Sequence, residues 1–326
     1  MAHPAFFATA MTNTGAALRS PALALSASAL FWSGNFVAGR ALASTVDPVT
    51  LNFLRWLTAL AIIAPFVWPG ATASLSAIRR EWRLILALGA TGIATFHVVV
   101  YVALQSTTAT NALLMLSLAP IATLIGSAAL GAERPTKQQL VGALISMAGA
   151  GVLITGGNVT DIVAHGFNRG DLWMCLAVVL WAAYSILLRR RPADLPPSVA
   201  LAASIAAALA MGLPLLPILV TSPSLAALGS GFILLSIGYI ALFASAIAFL
   251  LWSYGVSQLG PARAGQFVHL MPVFGTGLAF MVLGEVPTLA QTAGAALVLC
   301  GIVFVERGAG KVPAPCLIPA PGAPSH

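Results

Sequence analysis

One stretch of this chain occurs twice, and that repeat constrains the fold more than any other feature. Residues 104–154 lie without gaps on residues 256–306 when the sequence is shifted by 152 positions. The matched pairs are Pro120 with Pro272, Glu133 with Glu285, Pro135 with Pro287, Thr136 with Thr288, Gln139 with Gln291, Gly142 with Gly294, Ala143 with Ala295 and Gly149 with Gly301. Similar composition alone does not keep turn residues in register, so the match indicates an internal duplication. Each copy predicts an apolar helix with a central proline, a Glu-x-Pro-Thr turn and a helix of small residues.

The composition places this duplicated chain in a membrane. Hydrophobic residues make up 59% of it and charged residues only 7%, where soluble domains carry roughly 25% charged residues. Apolar runs of about 20 residues, enough to cross roughly 30 Å of hydrocarbon, recur along the chain. Because these runs are continuously apolar and do not alternate, they favour helices over barrel strands. The prediction is an all-α polytopic membrane protein.

We predict ten transmembrane helices, arranged as two inverted five-helix repeats around a central cavity. The spans are 22–43, 49–68, 84–104, 108–131, 138–156, 170–188, 198–220, 231–255, 262–284 and 288–306. In domain terms, 1–21 is a cytoplasmic tail, 22–156 the first repeat, 157–169 a loop, 170–306 the second repeat and 307–326 a disordered tail. The last tail is rich in Pro and Ala and lacks the apolar residues that a packed core needs.

The distribution of basic residues indicates that the second repeat is inverted. The first Glu-x-Pro-Thr turn carries Arg134 and Lys137, and the second turn has lost both. Cationic residues accumulate on the cytoplasmic side, so the two turns are expected on opposite sides. The net charge of +7 is then an orientation signal, with no nucleic-acid partner implied. Both termini are expected in the cytoplasm, and the protein in the plasma (bacterial inner) membrane.

This arrangement resembles the drug/metabolite transporter superfamily, EamA type. The resemblance covers residues 22–306, and the duplicated turn is its most specific part. It implies a basket of eight helices around a central cavity, with spans 5 and 10 packed outside. It also implies metabolite transport, commonly the export of amino acids, of which YddG-like exporters are one branch.

The polar residues inside the spans are few and carry no negative charge. All eight acidic residues lie in loops or at span ends, so tight coupling to protons or sodium is not expected. We find no enzyme motif, no phosphate-binding loop and no cluster of metal ligands, and we predict no cofactor and no metal. The polar and aromatic residues placed to bind substrate are Trp32, Asn35, His97, Tyr101, Asn111, Met115, Trp181, Tyr184, Gln266 and His269.

Several of these residues have a second interpretation. His97 and His269 either line the cavity or are neutral imidazoles bonded to a nearby carbonyl or hydroxyl. Trp32 and Trp181 lie near mid-span, which favours the cavity over anchoring at the lipid interface. Asn111 is either a cavity residue or a helix-start residue, and Met115 is either a ligand contact or ordinary packing.

Three further residues bear on the site. Pro120 and Pro272 are expected to kink spans 4 and 9 near the midplane, where they free backbone carbonyls. Arg55 either reaches the cavity or extends to the outer headgroups. Trp252 is expected to anchor or pack its helix.

We therefore predict an exporter or facilitator of small neutral metabolites that works by alternating access about a midplane cavity. Amino acids with apolar or aromatic side chains are the first choice of substrate. The alternatives are another substrate class (a drug, a sugar phosphate or a nucleotide derivative) or, more distantly, an intramembrane enzyme or a packing subunit. The expected partners are the small-molecule substrate and the lipid bilayer, with the protein a monomer or a homodimer.

Overall fold

The computed structural model describes residues 20–42, 45–103, 105–107, 109–131, 136–158, 168–283 and 286–307. Regular structure in these ranges is entirely helical. The main helices are α1 (Pro21–Leu42), α2 (Pro48–Ala73), α3 (Trp82–Ala103), α4 (Ala109–Leu116 and Ala119–Ala129), α5 (Lys137–Thr155), α6 (Arg169–Arg189), α7 (Pro197–Gly212), α8 (Gly231–Leu259), α9 (Pro261–Gln266, Phe267–His269 and Leu270–Leu283) and α10 (Leu289–Arg307). Short helices at Leu75–Arg80 and Leu216–Val220 lie in the connections.

The main helices fall on the predicted stretches, with two clear differences. α7 ends at Gly212, although we predicted a span to residue 220, and a 3₁₀ turn follows it at Leu213–Leu215. α2 continues to Ala73, although we predicted its end at residue 68, and it passes through Pro65 and Pro69. Membrane helices tolerate such prolines because neighbouring groups satisfy the freed backbone atoms. Among the described residues, eight helices are long and apolar enough to cross a membrane. The chain is therefore an all-helical membrane protein, and ten spans in inverted repeats stay a prediction. Glu133, Pro135 and Glu285 of the duplicated turns lie outside the described residues, as do the tails.

α5 and α10 pack closely against each other in opposite directions. A Cβ atom added to Gly149 would lie 2.6 Å from the backbone nitrogen of Val298 and 2.8 Å from the carbonyl oxygen of Gly294. One added to Gly142 would lie 2.8 Å from the carbonyl oxygen of Gly301. These two contacts are reciprocal, because Gly294 is the repeat counterpart of Gly142 and Gly301 is that of Gly149. Reciprocal contacts of this kind arise around a two-fold axis.

Helix irregularities also recur at equivalent positions of the two halves. α3 contains a π-helical segment at Gly89–Thr95, and α8 contains one at Ile240–Ile247. α4 is interrupted at residues 117–118, and α9 becomes a 3₁₀ turn at Phe267–His269. Each interruption lies just N-terminal to the repeated proline, Pro120 or Pro272. A proline cannot donate to the carbonyl four residues before it, so the ladder fails upstream of the ring.

The connections divide the bundle into two ends of different chemistry. At the basic end, Arg80 donates to Asp194 at 2.9 Å and Arg263 pairs with Glu306 at 2.7 Å. At the opposite end, Asp47 caps α2 and accepts hydrogen bonds from Ser222 and Ser224.

Asp47 is held ionised by these contacts. Burial acts to raise the pKa of its carboxyl, but the hydrogen bonds outweigh that effect and lower the pKa to about 2. The start of α2 is thereby tied to the α7–α8 connection.

Candidate functional site

The centre of the bundle is filled by aromatic side chains from five helices. We call this group the aromatic cluster; it consists of Trp32, Trp56, Phe96, Trp181, Tyr184, Phe249 and Trp252, all buried. The rings of Trp32 and Trp181 meet edge to face with their centroids 5.0 Å apart. Trp252 lies 5.3 Å from Trp32 and 5.2 Å from Trp181. Three of the predicted site residues (Trp32, Trp181 and Tyr184) therefore meet here, and Trp181 contacts both of the others.

Four members of this cluster were not predicted as site residues. Trp252 is buried two turns from the end of α8, so it packs the centre and does not anchor the helix at the lipid interface. Trp56 stacks edge to face on Phe249 with centroids 5.0 Å apart, and Phe96 lies 5.1 Å from Trp181. One signal was available in the sequence: Phe249 is the counterpart of His97 under the 152-residue shift. The two rings are in fact neighbours, with centroids 6.3 Å apart.

Indole N–H groups of the cluster differ in their partners. The Nε1 of Trp32 donates to the carbonyl of Ala244 at 3.0 Å, and the Nε1 of Trp56 donates to Asn52 at 3.1 Å. The Nε1 atoms of Trp181 and Trp252 are buried without a hydrogen-bond partner. A buried unpaired donor costs free energy. These two groups are therefore available to a ligand.

The π-helical segments supply acceptors to this region. Ala244 lies in the π segment of α8 and accepts from Trp32 on α1. Ile93 and Ala94 lie in the π segment of α3, and their carbonyls accept from the Asn52 amide at 3.2 and 3.3 Å. Such segments redirect carbonyls away from the regular helical ladder and frequently occur at functional sites.

His269 and Gln266 belong to a separate hydrogen-bonded group between α4, α5 and α9. The Nε2 of His269 lies 2.8 Å from the carbonyl oxygen of Ser117, and its Nδ1 lies 2.7 Å from the Ser146 hydroxyl. A carbonyl only accepts, so Nε2 carries the proton, and in the neutral ring Nδ1 then accepts from Ser146. Ser146 also lies 3.3 Å from the Gln266 side-chain oxygen. His269 is thus a fully partnered neutral imidazole, as one of the two interpretations has it.

Ser146 gives α5 a polar contact with the rest of the bundle. Its bond to His269 links the α5–α10 pair to the two helix interruptions. A small pocket lies beside them, lined by Leu113, Leu116, Ser117, Val268, His269, Met271 and Pro272.

His97 and Tyr101 lie one turn apart on α3, and each carries a buried atom without a partner. Their ring centroids are 6.5 Å apart. The Nδ1 of His97 and the hydroxyl of Tyr101 have no partner within 3.5 Å, and the Arg55 guanidinium lies close to both groups. His97 also contacts Trp56, at 6.1 Å between centroids. The two histidines looked alike in the sequence, but they differ in hydrogen bonding: His269 has a partner at both ring nitrogens, and the Nδ1 of His97 has none.

Arg55 is fully buried and does not extend to the headgroups. Its Nε and Nη2 donate to the Ser245 hydroxyl at 3.0 and 2.8 Å, and its guanidinium lies 5.2 Å from the Trp56 ring centre. The Nη1 atom has no hydrogen-bond partner. Of the two interpretations of Arg55, the structure supports the one that places it inside the bundle.

The remaining predicted residues are dispersed. Asn35 is buried on α1 with its side-chain oxygen unpartnered. Met115 packs against the main apolar core, as the packing interpretation has it. Asn111 lies in the first turn of α4, and its side chain is outside the described part of the structure.

Comparisons with known proteins find similarity to membrane transporters. Residues 19–155 and 168–307 match the EamA-like transporter family. An uncharacterized transporter of Bacillus subtilis, YyaM, is 28% identical over a region that covers 73% of this chain and 77% of the YyaM chain. A probable terminal-alkyne amino-acid exporter of Streptantibioticus cattleyicolor is 28% identical over 70% of this chain and 74% of its own. One crystal structure superposes with a TM-score of 0.71 at 25% identity, covering 89% of this chain and 97% of that chain.

Proposed function

This chain belongs to the EamA-like transporter family and is a membrane transporter of that type, and we propose that it carries amino acids with apolar or aromatic side chains. The protein works by alternating access about the centre of the bundle, either as an exporter or as a facilitator. The protein acts as a carrier and not as an enzyme. It resides in the plasma membrane, which is the inner membrane of a cell that has two.

The observation that carries this proposal is the meeting of equivalent residues of the two halves at the centre. Trp32 contacts Trp181, which is its counterpart under a shift of 149 residues. Ser117 accepts from His269, its counterpart under a shift of 152. In transporters with repeated halves, substrates bind where the repeats meet and rock against each other. For a substrate to stack on Trp32 or Trp181 these rings must separate, and rocking of one half against the other supplies that separation.

The chemistry of this region favours an amino acid with a large side chain. Aromatic rings dominate it, and its polar groups are a few indole, imidazole, hydroxyl and amide groups. Such walls enclose an apolar side chain and fix its orientation by a small number of hydrogen bonds. The similar exporter from Streptantibioticus cattleyicolor is named for an amino-acid substrate, which adds support.

Charge disfavours the phosphorylated alternatives. Sugar phosphates and nucleotide derivatives carry phosphate oxygens that need several cations. Among the basic side chains that the structure describes, Arg55 is fully buried, whereas Arg79 and Arg80 are exposed at the basic end. A single buried cation suits a monoanionic group. The described acidic residues lie at the bundle ends, which favours transport without obligatory ion coupling.

We further propose that the halves are inverted, with the basic end and both termini in the cytoplasm. The reciprocal contacts of Gly142 and Gly149 with α10 support this arrangement, since contacts of this kind arise around a two-fold axis. The clustering of Arg80, Arg189 and Arg263 at one end supports the orientation. The small-residue faces of α5 and α10 pack against each other, so they are not free to form a dimer interface. A monomer is therefore the simplest assembly.

Counterflow in proteoliposomes tests the proposed function. Vesicles preloaded with unlabelled L-phenylalanine or L-leucine should accumulate the labelled amino acid transiently, and vesicles without protein should not. Preloading with glucose 6-phosphate should give no accumulation of labelled sugar phosphate. The absence of counterflow for every apolar and aromatic amino acid would refute the proposal.

A further inference from the structure

We propose that Arg55 is the binding site for the substrate's carboxylate, so that this carrier selects amino acids through their acid group. This inference rests on the proposed function, since it names the group of the amino acid that the site holds. It adds a requirement that the aromatic walls do not impose: an amine without a carboxylate is not a substrate.

The first argument is that Arg55 is a buried charge without a counter-ion. Its exposed fraction is 0%, and it donates two hydrogen bonds to the same neutral hydroxyl, that of Ser245. A buried cation that lacks an anionic partner costs several kcal/mol, roughly. An anion that enters the site would recover much of this cost.

The chain offers Arg55 no such anion among the residues that the structure describes. Asp47 accepts from serines, Asp171 accepts from Thr107 at 2.7 Å, and Glu306 pairs with Arg263. Asp194 and Glu81 both pair with Arg80 at the basic end. Every described carboxylate is therefore engaged away from Arg55, and we assign the role of counter-ion to the carboxylate of the substrate.

The second argument is that three polar groups with unused hydrogen-bonding atoms lie near one another. They are the Nη1 of Arg55, the Nδ1 of His97 and the hydroxyl of Tyr101. Arg55 interacts electrostatically with both of the others. A carboxylate has two oxygens that accept about four hydrogen bonds in total, so it accepts from a guanidinium, a phenol and an N–H of imidazole together. One carboxylate therefore has the acceptor capacity to satisfy all three groups.

The third argument is continuity with the aromatic cluster. Trp56 lies beneath the Arg55 guanidinium and stacks on Phe249, which in turn lies 5.6 Å from Tyr184. A carboxylate held at Arg55 thus places the rest of an amino acid toward the rings of the cluster. The carboxylate and the apolar side chain are recognised by adjoining surfaces.

Ligand pairs on the unmodified protein provide the first test. L-Phenylalanine, N-acetyl-L-phenylalanine and L-phenylalaninamide share one side chain, and only the amide lacks the carboxylate. Unlabelled acid and N-acetyl acid should both inhibit counterflow of labelled L-phenylalanine. The amide should inhibit at least about tenfold more weakly, as expected for a lost charge-assisted hydrogen bond. Equal inhibition by the acid and the amide would overturn the assignment.

Variants then connect this selectivity to Arg55. Arg55→Gln should lose the discrimination between acid and amide, and Arg55→Lys should keep part of it because the charge remains without the planar fork. Arg79→Gln is the matched control: it removes one exposed arginine at the basic end and should discriminate like the unmodified protein. A folded Arg55→Gln protein that still prefers the acid would refute the proposal.

Thermal unfolding separates ligand binding from a merely structural role. Without ligand, Arg55→Gln should be at least as stable as the unmodified protein, because it removes an unpaired buried charge. L-Phenylalanine should raise the unfolding temperature of the unmodified protein and not that of Arg55→Gln. A large loss of stability in the ligand-free variant, or an equal shift produced by sodium chloride alone, would overturn the inference.

The two proposals fail in different ways. If no amino acid supports counterflow, the proposed function fails. The anion site is then tested separately with hexanoate, which should raise the unfolding temperature of the unmodified protein and not that of Arg55→Gln. If amino acids are transported but the amide competes as well as the acid, only the role of Arg55 fails.

Discussion

Two histidines show how far residue-level reasoning reaches. His97 and His269 both lie in apolar helices, and the sequence offered each the same two interpretations. The structure gives His269 a partner at both ring nitrogens, whereas the Nδ1 of His97 has none. The difference depends on which face of a neighbouring helix each ring meets, and one residue's identity does not encode that face. The same holds for Arg55, whose burial follows from contacts with α3 and α8.

Replacing each histidine by leucine should separate these roles. His269→Leu leaves the Ser117 carbonyl without this donor and removes the shortest contact of the Ser146 hydroxyl, and a buried unpaired group costs about 1–3 kcal/mol. The thermal unfolding temperature should therefore fall. His97→Leu removes a polar atom that is already unpaired, so the fold should persist while counterflow of L-phenylalanine weakens. Equal destabilisation by the two variants would contradict this distinction.

At the scale of the helix, the sequence predicts interruptions better than it predicts π segments. The duplicated prolines indicated kinks in α4 and α9, and the irregular turns lie within a few residues upstream of them. The π segments of α3 and α8 have no comparable signal. Gly89 and Gly92 lie in the first, but the second, IALFASAI, contains no glycine or proline. Such segments depend on side chains from α1 and α2 that bond to the freed carbonyls, which is a tertiary effect.

The α5–α10 contact makes a prediction about two glycines on the same helix. Gly149→Ala places a methyl group 2.6 Å from the backbone of α10, so the helices must separate. Gly151→Ala is the control, because its new Cβ has only Leu114 nearby, at 4.0 Å. Alanine at 151 should leave the protein unchanged or stabilise it by up to about 1 kcal/mol through helix propensity.

Thermal unfolding and the yield of folded protein measure this difference. Gly149→Ala should lower both, and the affinity for substrate should change less than stability does in whatever protein folds. A selective change in transport affinity with normal stability would instead place Gly149 at the substrate site.

At the scale of the molecule, the duplication predicted more than the class of fold. The predicted spans lie close to the main helices, and the repeat pairs residues that meet at the centre and between α5 and α10. It did not predict that the aromatic side chains would fill the centre, because ring packing depends on how the two halves close on each other. We predicted a central cavity, whereas the aromatic cluster fills the centre in this structure. The two agree if the halves move relative to each other during transport.

Inversion of the repeats is the global property most open to direct test. Lys137 and Leu289 are equivalent, exposed, and each begins a helix one residue after a capping threonine, Thr136 or Thr288. Cysteines at these two positions, each in a background without Cys175, Cys300 and Cys316, leave both caps intact. In intact cells an impermeant maleimide should label the cysteine at 289 and not the one at 137. After permeabilisation both should react, which controls for folding and reactivity. If both label from outside, or both only after permeabilisation, the two halves share one orientation and the inverted arrangement is excluded.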